Sequence, residues 1–563
     1  MSFLSRFSPT LIIQHTGETV KRFPLVVLTT MTSGILLYLL INSKNQTDPS
    51  LLNLFLTSLL AIPLMVSVVM MNERDMFRNK YLPLLLLLIP AGFFVLSPKE
   101  DLNSNYFRFA QLFVATHLFA GFAPYLKDKN DGRLWEFNKS IFLRFLLSTL
   151  YTSVLTGGLF ICLGSLKGLF GIPISANTFL ITFILCAFIF HPIHFLTGVP
   201  AKYEEINEYP RPLWVFCQNL LIPLIAVFGT ILVVYGVTIV ATLNWPKGLI
   251  TLLVSTFSVV GMLTIVLIDP LIRNDKSWFR KFSSYFYLAQ ILLACLMLAA
   301  IYRRTAEYGV TESRYVVILV SAWLILIGLF FLIRKNQTLK LIPMSLCVLT
   351  LITTYGPWSA HSVSLRSEKK RLEKILTEYQ VLVKGKLNKD HKVLPYKVGN
   401  DISSLILYIY NHHGSAPVAD WITDKSKNRQ QFYVEANLPE YYSNSQYFSF
   451  NDPMLGDSIT IAGYKKLTSF NLMPNTRKDI DHLSLRLNTG SLEIYSDDKL
   501  VLKKTTTELM KLSGITNETR YSGKKILLNV EDPRLMLWLT SGSGNMGEEK
   551  DNSLQSLTGM IFY

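Results

Sequence analysis

The stretch Tyr302–Tyr315, YRRTAEYGVTESRY, lies between two long apolar runs, Phe279–Ile301 and Val316–Ile333. It sets Arg303, Arg304, Glu307, Glu312 and Arg314 beside Tyr308 and Gly309, in a half of the chain otherwise sparing with charge. Each flanking run is about 20 residues long, enough to cross a hydrocarbon core roughly 30 Å thick. The stretch therefore reads as a loop between two membrane helices. Neutral spacers would connect them at lower desolvation cost, so the charges imply a partner or a packing role. Glu307 follows Arg303 by four positions and Arg304 by three, which puts them side by side on a continuing helical turn. Glu312 is within reach of Arg314, and Thr311 is suited to cap the next span.

Working outward, apolar runs of this kind recur from Phe23 to about Ala360 and then stop. With 50% hydrophobic residues and a mean hydropathy of +0.32, the chain is too apolar for a soluble protein. The reading is a membrane all-α bundle of about eleven transmembrane helices followed by a soluble α+β domain. The spans fall near 24–41, 51–71, 81–97, 106–126, 141–165, 178–197, 212–242, 249–272, 280–301, 315–333 and 338–357. Pro223 inside the seventh predicts a kink. Residues 1–23 lack the features of a signal peptide and read as an interfacial amphipathic segment. Residues 24–360 form the membrane domain and 361–563 the tail.

The net charge of +16 invites a nucleic-acid reading, but its distribution opposes one. Beyond Ala360 there are 27 Lys and Arg against 23 Asp and Glu, so most of the excess flanks the apolar runs. There it alternates. Loops with Lys21 and Arg22, Arg74 and Arg78, Lys127 and Arg133, Lys202 and Arg211, Arg273 and Lys276, and Arg334 and Lys335 alternate with loops holding only Lys44, Lys99, Lys167 or Lys247. Basic loops stay in the cytoplasm, so the N-terminus is inside, and an odd number of spans puts the tail outside. The 302–315 stretch breaks this alternation, with three arginines on the outer face; pairing with its own glutamates would account for them.

In the tail, Arg366–Leu387 carries apolar residues at helical spacing, and Asp401–Asn411 reads as a second helix capped by Asn400 or Asp401, with Gly414 just past its end. After about 414 the pattern turns β-rich. Strands are expected at Gln431–Glu435, Ser458–Tyr464, Leu483–Leu487, Leu492–Tyr495, Leu500–Leu502 and Ile526–Val530, with turns at NTGS (488–491) and SDDK (496–499). Thr505–Leu512 reads as a short helix, 541–553 as a mobile loop and Met560–Tyr563 as a closing strand or a frayed end.

EYGVTESRY (307–315), RFPLVVL (22–28), WPKGL (245–249) and GPWSAHSVSLRSEKKRLEKIL (356–376) are spread along this chain. Together they resemble the bacterial multi-pass membrane family catalogued as domain of unknown function 4153, over Arg22 to about Asn411. The resemblance implies a bacterial cytoplasmic-membrane protein and carries no activity with it.

Polar residues inside spans are functional candidates because lipid penalises them. Here they are His117, Arg144, His191, His194, Gln218, Asn219, Asp269 and Gln290. Arg144 and Asp269 lie near the cytoplasmic span ends, where snorkelling explains them. His117 is mid-span and fits either a helix–helix hydrogen bond or a proton path. His191 and His194 share a helix face near Glu204, Glu205 and Glu208, yet Pro192 intervenes and no third ligand stands at fixed spacing. His412-His413 before Gly414 reads as a helix end favoured by the dipole. All five cysteines fall in apolar runs, and no metal motif, disulfide framework or cofactor fingerprint is present. The expectation is therefore no metal and no cofactor.

Three functions follow from different features. An envelope accessory or sensor protein would use the tail to meet an envelope partner. A transporter would use many spans, His117 and helix-breaking prolines. A membrane-embedded transferase would hold an anionic lipid head on Arg303, Arg304 and Arg314. The bilayer is the only partner that all three require. A reporter that works only in the cytoplasm, fused after Tyr563, is expected to be silent; robust activity would refute the orientation.

Overall fold

The computed structural model describes residues 9–43, 48–76, 79, 81–97, 103–128, 131–200, 209–243, 245, 248–273, 277–334, 338–391, 394–423, 428–438, 447–451, 464–488, 490–515, 521–522, 526–530, 534–545 and 553–563. It divides into two units. One holds 1–371 with 409–417; the other holds 372–408 with 418–563.

The first unit is helical. It begins with α1 (Pro9–Arg22), α2 (Pro24–Asn42), α3 (Pro49–Glu73), α4 (Leu88–Leu96, after a 3-10 stretch at Leu82–Leu87) and α5 (Asn103–Phe122). Next come α6 (Asp131–Phe170), α7 (Ala176–Leu185), α8 (His191–Thr197), α9 (Arg211–Phe216) and α10 (Ile222–Thr242). Then follow α11 (Leu249–Arg273), α12 (Ser277–Tyr308), α13 (Glu312–Ile333) and α14 (Leu341–Thr354). Among the described residues, eight helical segments are long and apolar enough to cross a membrane. The other three expected spans are helical too, but Leu84–Leu96 and Leu341–Thr354 are shorter, and α5 is more polar, with Asn105, Arg108, Gln111 and His117 along it.

Two continuous spans are assembled from pieces. A π-turn at Cys186–Phe190 joins α7 to α8 and another at Cys217–Leu221 joins α9 to α10, each just before a proline, Pro192 or Pro223. Proline cannot donate to the carbonyl one turn back, and widening that turn relieves the clash. Pro270 inside α11 strips Val266 of its helical donor in the same way. Here the indole of Trp135 replaces it, donating to the Val266 and Leu267 carbonyls at 2.9 and 3.2 Å, and the Tyr209 hydroxyl donates to Leu267 at 3.0 Å.

Several charges at the helix ends are paired. Arg22 meets Glu73 through two bonds of 2.7 and 2.8 Å. Arg273 joins Asp269 on its own helix at 2.7 Å and Asp131 at the start of α6 at 2.8 Å, and Asp131 also accepts from the Leu339 amide. The apolar core lies chiefly between α10, α11, α12 and α13, around Phe257, Phe286, Tyr287 and Phe331. Within it Gln290 donates to the Leu324 carbonyl at 3.0 Å and ties α12 to α13. Elsewhere side chains such as Leu143, Val154 and Ile161 of α6 are exposed, which suits an apolar surface facing lipid.

Two helices run across the boundary between the units, α15 (Ala360–Glu378) and α16 (Tyr396–His413). The first is shorter than the 366–387 expectation at its far end. The chain turns at Gln380, with φ of +62°, into a hairpin of β1 (Leu382–Val383) and β2 (Lys386–Leu387). α16 starts five residues earlier than the Asp401 expectation, and Gly414, at φ of +71°, ends it as read.

In the second unit, α17 (Arg429–Glu435) replaces the strand expected at Gln431–Glu435. The side chain of Asn428 accepts from the Gln431 amide and starts a helical turn despite the β-forming Phe432 and Tyr433. The strands are β3 (Tyr447–Asn451), β4 (Leu467–Leu472), β5 (Thr476–Ile480), β6 (Leu483–Asn488), β7 (Ser491–Ser496) and β8 (Lys499–Thr505). After α18 (Thr506–Ser513) come β9 (Tyr521–Ser522), β10 (Ile526–Val530), β11 (Leu535–Asn545) and β12 (Ser553–Phe562). Strands β5–β8 form an antiparallel meander, while β4, β12, β11, β3 and β9 make a second sheet with β10 also on β11. Asp497 and Asp498 both have positive φ, as a two-residue hairpin turn requires. Thr505 and Glu508 close a capping box on α18. Residues 541–545 belong to β11 rather than to a loop, because they pair with β12 and β3. The strand expected at 458–464 lies almost wholly outside the described residues.

Packing at one glycine offers a check. A Cβ on Gly261 would run into the Phe286 ring, whereas one on Gly158 meets nothing within 4 Å. Gly261→Ala is expected to cost about 1–3 kcal/mol through overpacking. Gly158→Ala should leave stability unchanged or raise it by roughly 0.5–1 kcal/mol. Thermal unfolding in detergent, with the two variants side by side, measures the difference.

Candidate functional site

Arg303, Arg304 and Glu307 are good helix formers, so α12 continues through Tyr308 and the connection to α13 shrinks to Gly309–Thr311. Thr311 occupies the cap position with extended backbone, but its hydroxyl pairs with Ser313 and does not cap the helix. Glu307 is exposed and makes no ion pair among the described residues, so the expected pairing with Arg303 and Arg304 is absent there. Arg303 instead lies over the Trp245 ring at 5.4 Å. Arg314 donates to the carbonyls of Tyr308 and Gly309 at 2.9 and 2.8 Å, closing the short connection on itself.

The first turns of α15 complete this junction. Ser359 accepts from the Ser362 amide at 3.2 Å and starts the helix, while Tyr315 donates to the Trp358 carbonyl at 2.7 Å. Ser367 accepts from the Val310 amide at 2.8 Å, and Arg371 reaches the Tyr308 carbonyl at 3.2 Å. Glu368 is buried against Gly309, where a Cβ would meet its carboxylate at 2.6 Å. Gly309 also has φ of +73°, so two separate constraints demand glycine. Burial pushes the Glu368 carboxyl up, against the opposing pull of Arg371 and Arg314.

Behind the junction sits a cluster that sequence reasoning misses. Glu312, the first residue of α13, is 3% exposed. Its two carboxylate oxygens lie 3.4 Å from His361 Nδ1 and 3.4 Å from His412 Nδ1. His413 Nδ1 lies 3.4 Å from His361 Nε2, and the Ser364 hydroxyl lies 3.4 Å from His413 Nε2. The His361 and His413 rings are 4.4 Å apart between centroids. Residues 409–417 belong to the first unit, so the whole cluster does. Burial first, then the neighbouring His361, His412 and Arg108, push the His413 imidazole down to about 3, with Glu312 opposing. His412 and His413 do end α16, as their place before Gly414 implies. Their partner Glu312, however, stands about a hundred positions back, where no local pattern reaches. The one legible signal is Glu312 itself, a carboxylate opening an apolar span.

The other singled-out residues stay apart from this cluster. His117 Nδ1 lies 2.8 Å from the Phe113 carbonyl of its own helix, and its ring is exposed; it does not bridge helices. The carbonyl one turn back is the partner nearest to hand. His194 and His191 meet Ser148 and Thr149 of α6 at 2.8 and 3.2 Å. Glu204, Glu205 and Glu208 lie outside the described residues. The Arg144 side chain runs over Gly198, and Asp269 is held in the Arg273 network described above.

A family model described as domain of unknown function (DUF4153) matches residues 73–382. An uncharacterized protein of Pasteurella multocida (strain Pm70) is 24% identical over 333 residues, covering 57% of this chain and 55% of that protein. The chain thus spans about half the length of that relative. No solved structure matches. The matched region holds Glu312 and His361 and stops short of His412 and His413.

Gly309→Ala is expected to lower thermal stability and speed protease cleavage within 366–374, because the backbone is strained and Glu368 is displaced. Glu307→Gln should leave both readouts unchanged. Equal behaviour of the two variants would remove the junction from the account.

Proposed function

This chain belongs to the family described as domain of unknown function 4153, and we propose that it is an accessory or sensor protein of the bacterial cytoplasmic membrane. Its N-terminus is in the cytoplasm, and the region after about residue 360 is presented outside, to an envelope protein. The observation that carries this reading is the junction between the 302–315 stretch and α15. Ser367, Glu368 and Arg371 engage the backbone at Tyr308–Val310, so the helix leading out of the membrane unit is fastened where it starts. A fastened exit helix suits a protein that holds a domain at a membrane surface, because hydrogen bonds to backbone at both ends of the connection fix its starting direction. Two of the three arginines that a lipid-head transferase would use are already engaged within the protein. Arg314 holds the Tyr308 and Gly309 carbonyls, and Arg303 lies over Trp245.

The test uses position 499, exposed at the β7–β8 turn. In intact spheroplasts, Lys499→Cys is expected to react with a membrane-impermeant maleimide. A photocrosslinking residue placed there should give a discrete adduct with an envelope protein. Labelling only after lysis, or the absence of any adduct, counts against the reading.

A further inference from the structure

We propose that Glu312, His361 and His413 form a binding site for one divalent transition-metal ion of the zinc class, with His412 as the fourth ligand. Glu312, His361 and His413 each offer a ligand atom, and these atoms all lie within 4.8 Å of one another. A tetrahedral site with bonds of about 2.0–2.2 Å has edges of roughly 3.4 Å between ligand atoms. The His361 Nε2–His413 Nδ1 separation already has that length; Glu312 faces His361 through Nδ1 and His412 through its other oxygen, so the His361 ring turns to offer a single nitrogen to a shared ion. Closing the widest pair takes side-chain rotation of roughly 1 Å, well within the reach of histidine and glutamate torsions.

The chemistry of the donors narrows the ion. Calcium and magnesium take mostly oxygen ligands, and a single carboxylate among three imidazoles does not supply them. Imidazole nitrogen suits zinc, copper, nickel and cobalt. The Arg108 guanidinium faces Glu312 and His413 from α5, with Tyr355 beside it, so positive charge already stands near the site. Binding must then come from nitrogen–metal bonds rather than from an acidic field. Ser364 at the Nε2 of His413 leaves its Nδ1 facing His361. Three histidines and one glutamate close the coordination shell, which is the arrangement of a structural ion. Such an ion would pin together the start of α13, the start of α15 and the end of α16, all within the first unit.

The full chain, purified in detergent and stripped with a chelator, is titrated with Co2+ alone and with Zn2+ alone. One ion per chain is expected, with the visible ligand-field bands of tetrahedral cobalt, no thiolate charge-transfer band and a raised melting temperature. His361→Gln and His413→Gln should lose the bands and the stabilisation while remaining monodisperse with unchanged helicity. Ser364→Ala should weaken binding about 10- to 100-fold, as loss of an outer partner does. Glu312→Gln carries a risk of misfolding, so the two histidine variants decide. Substoichiometric binding to the unaltered chain, a thiolate band, or bands that survive both histidine changes would each overturn the site. The cluster would then serve only to hold a buried carboxylate.

Discussion

A carboxylate buried at the first residue of a membrane-spanning helix constrains everything around it. Glu312 is nearly inaccessible, and an unpaired charge there would cost several kcal/mol. Its neighbours are therefore fixed by need: His361 from the first turn of α15, His412 from the last turn of α16, and the Arg108 charge from α5. Those contacts require α15 to begin close to α13, which in turn requires a short connection from α12. Gly309 makes that connection possible, because only glycine tolerates both its backbone angle and the adjoining Glu368.

The same rule operates deeper in the bundle, where lipid offers no alternative partner for a polar group. Pro270 frees the Val266 carbonyl, which Trp135 takes up, while Tyr209 from another segment donates to the adjoining Leu267 carbonyl. One proline thereby becomes a cross-link between α6, α11 and the chain at 209. Pro192 and Pro223 are accommodated differently, by widened turns within their own spans. The Asp131–Arg273–Asp269 network follows the first pattern with charges in place of carbonyls. Polar groups in this unit act as connectors because each must find its partner inside the protein.

This explains how much the sequence could disclose. Every expected span is helical, because hydrophobic run length and lipid thickness are local quantities. The short helix at 506–513 and the turn at 496–499 are legible for the same reason, since Thr505 with Glu508 and the paired Asp497–Asp498 signal through adjacent residues. Residues 431–435 are helical, against the expected strand, because one capping side chain, Asn428, outweighs their β propensity. The charged stretch stands out in the sequence, but its partners do not. Local spacing offers Glu307 to Arg303 and Glu312 to Arg314, whereas the fold supplies histidines from positions 361 and 412. Contacts between residues so far apart leave no trace in periodicity.

The electrostatics of the cluster also bear on which charges can settle there. Glu312 lies at the N-terminus of α13 and His361 in the first turn of α15, so two positive helix ends converge on the carboxylate. Both stabilise Glu312 as an anion without any ion present. His412 and His413 come from the opposite kind of terminus, the negative end of α16, which favours a cation near their rings. The carboxylate and the imidazoles are thus each placed at the helix end that suits them, and the boundary between the two fields runs through the cluster. A cation seated there would be drawn by Glu312 and the end of α16, and repelled by Arg108 and the two N-termini. With these fields largely offset, occupancy turns on the strength of individual ligand bonds, which is why nitrogen donors matter more here than the single negative charge.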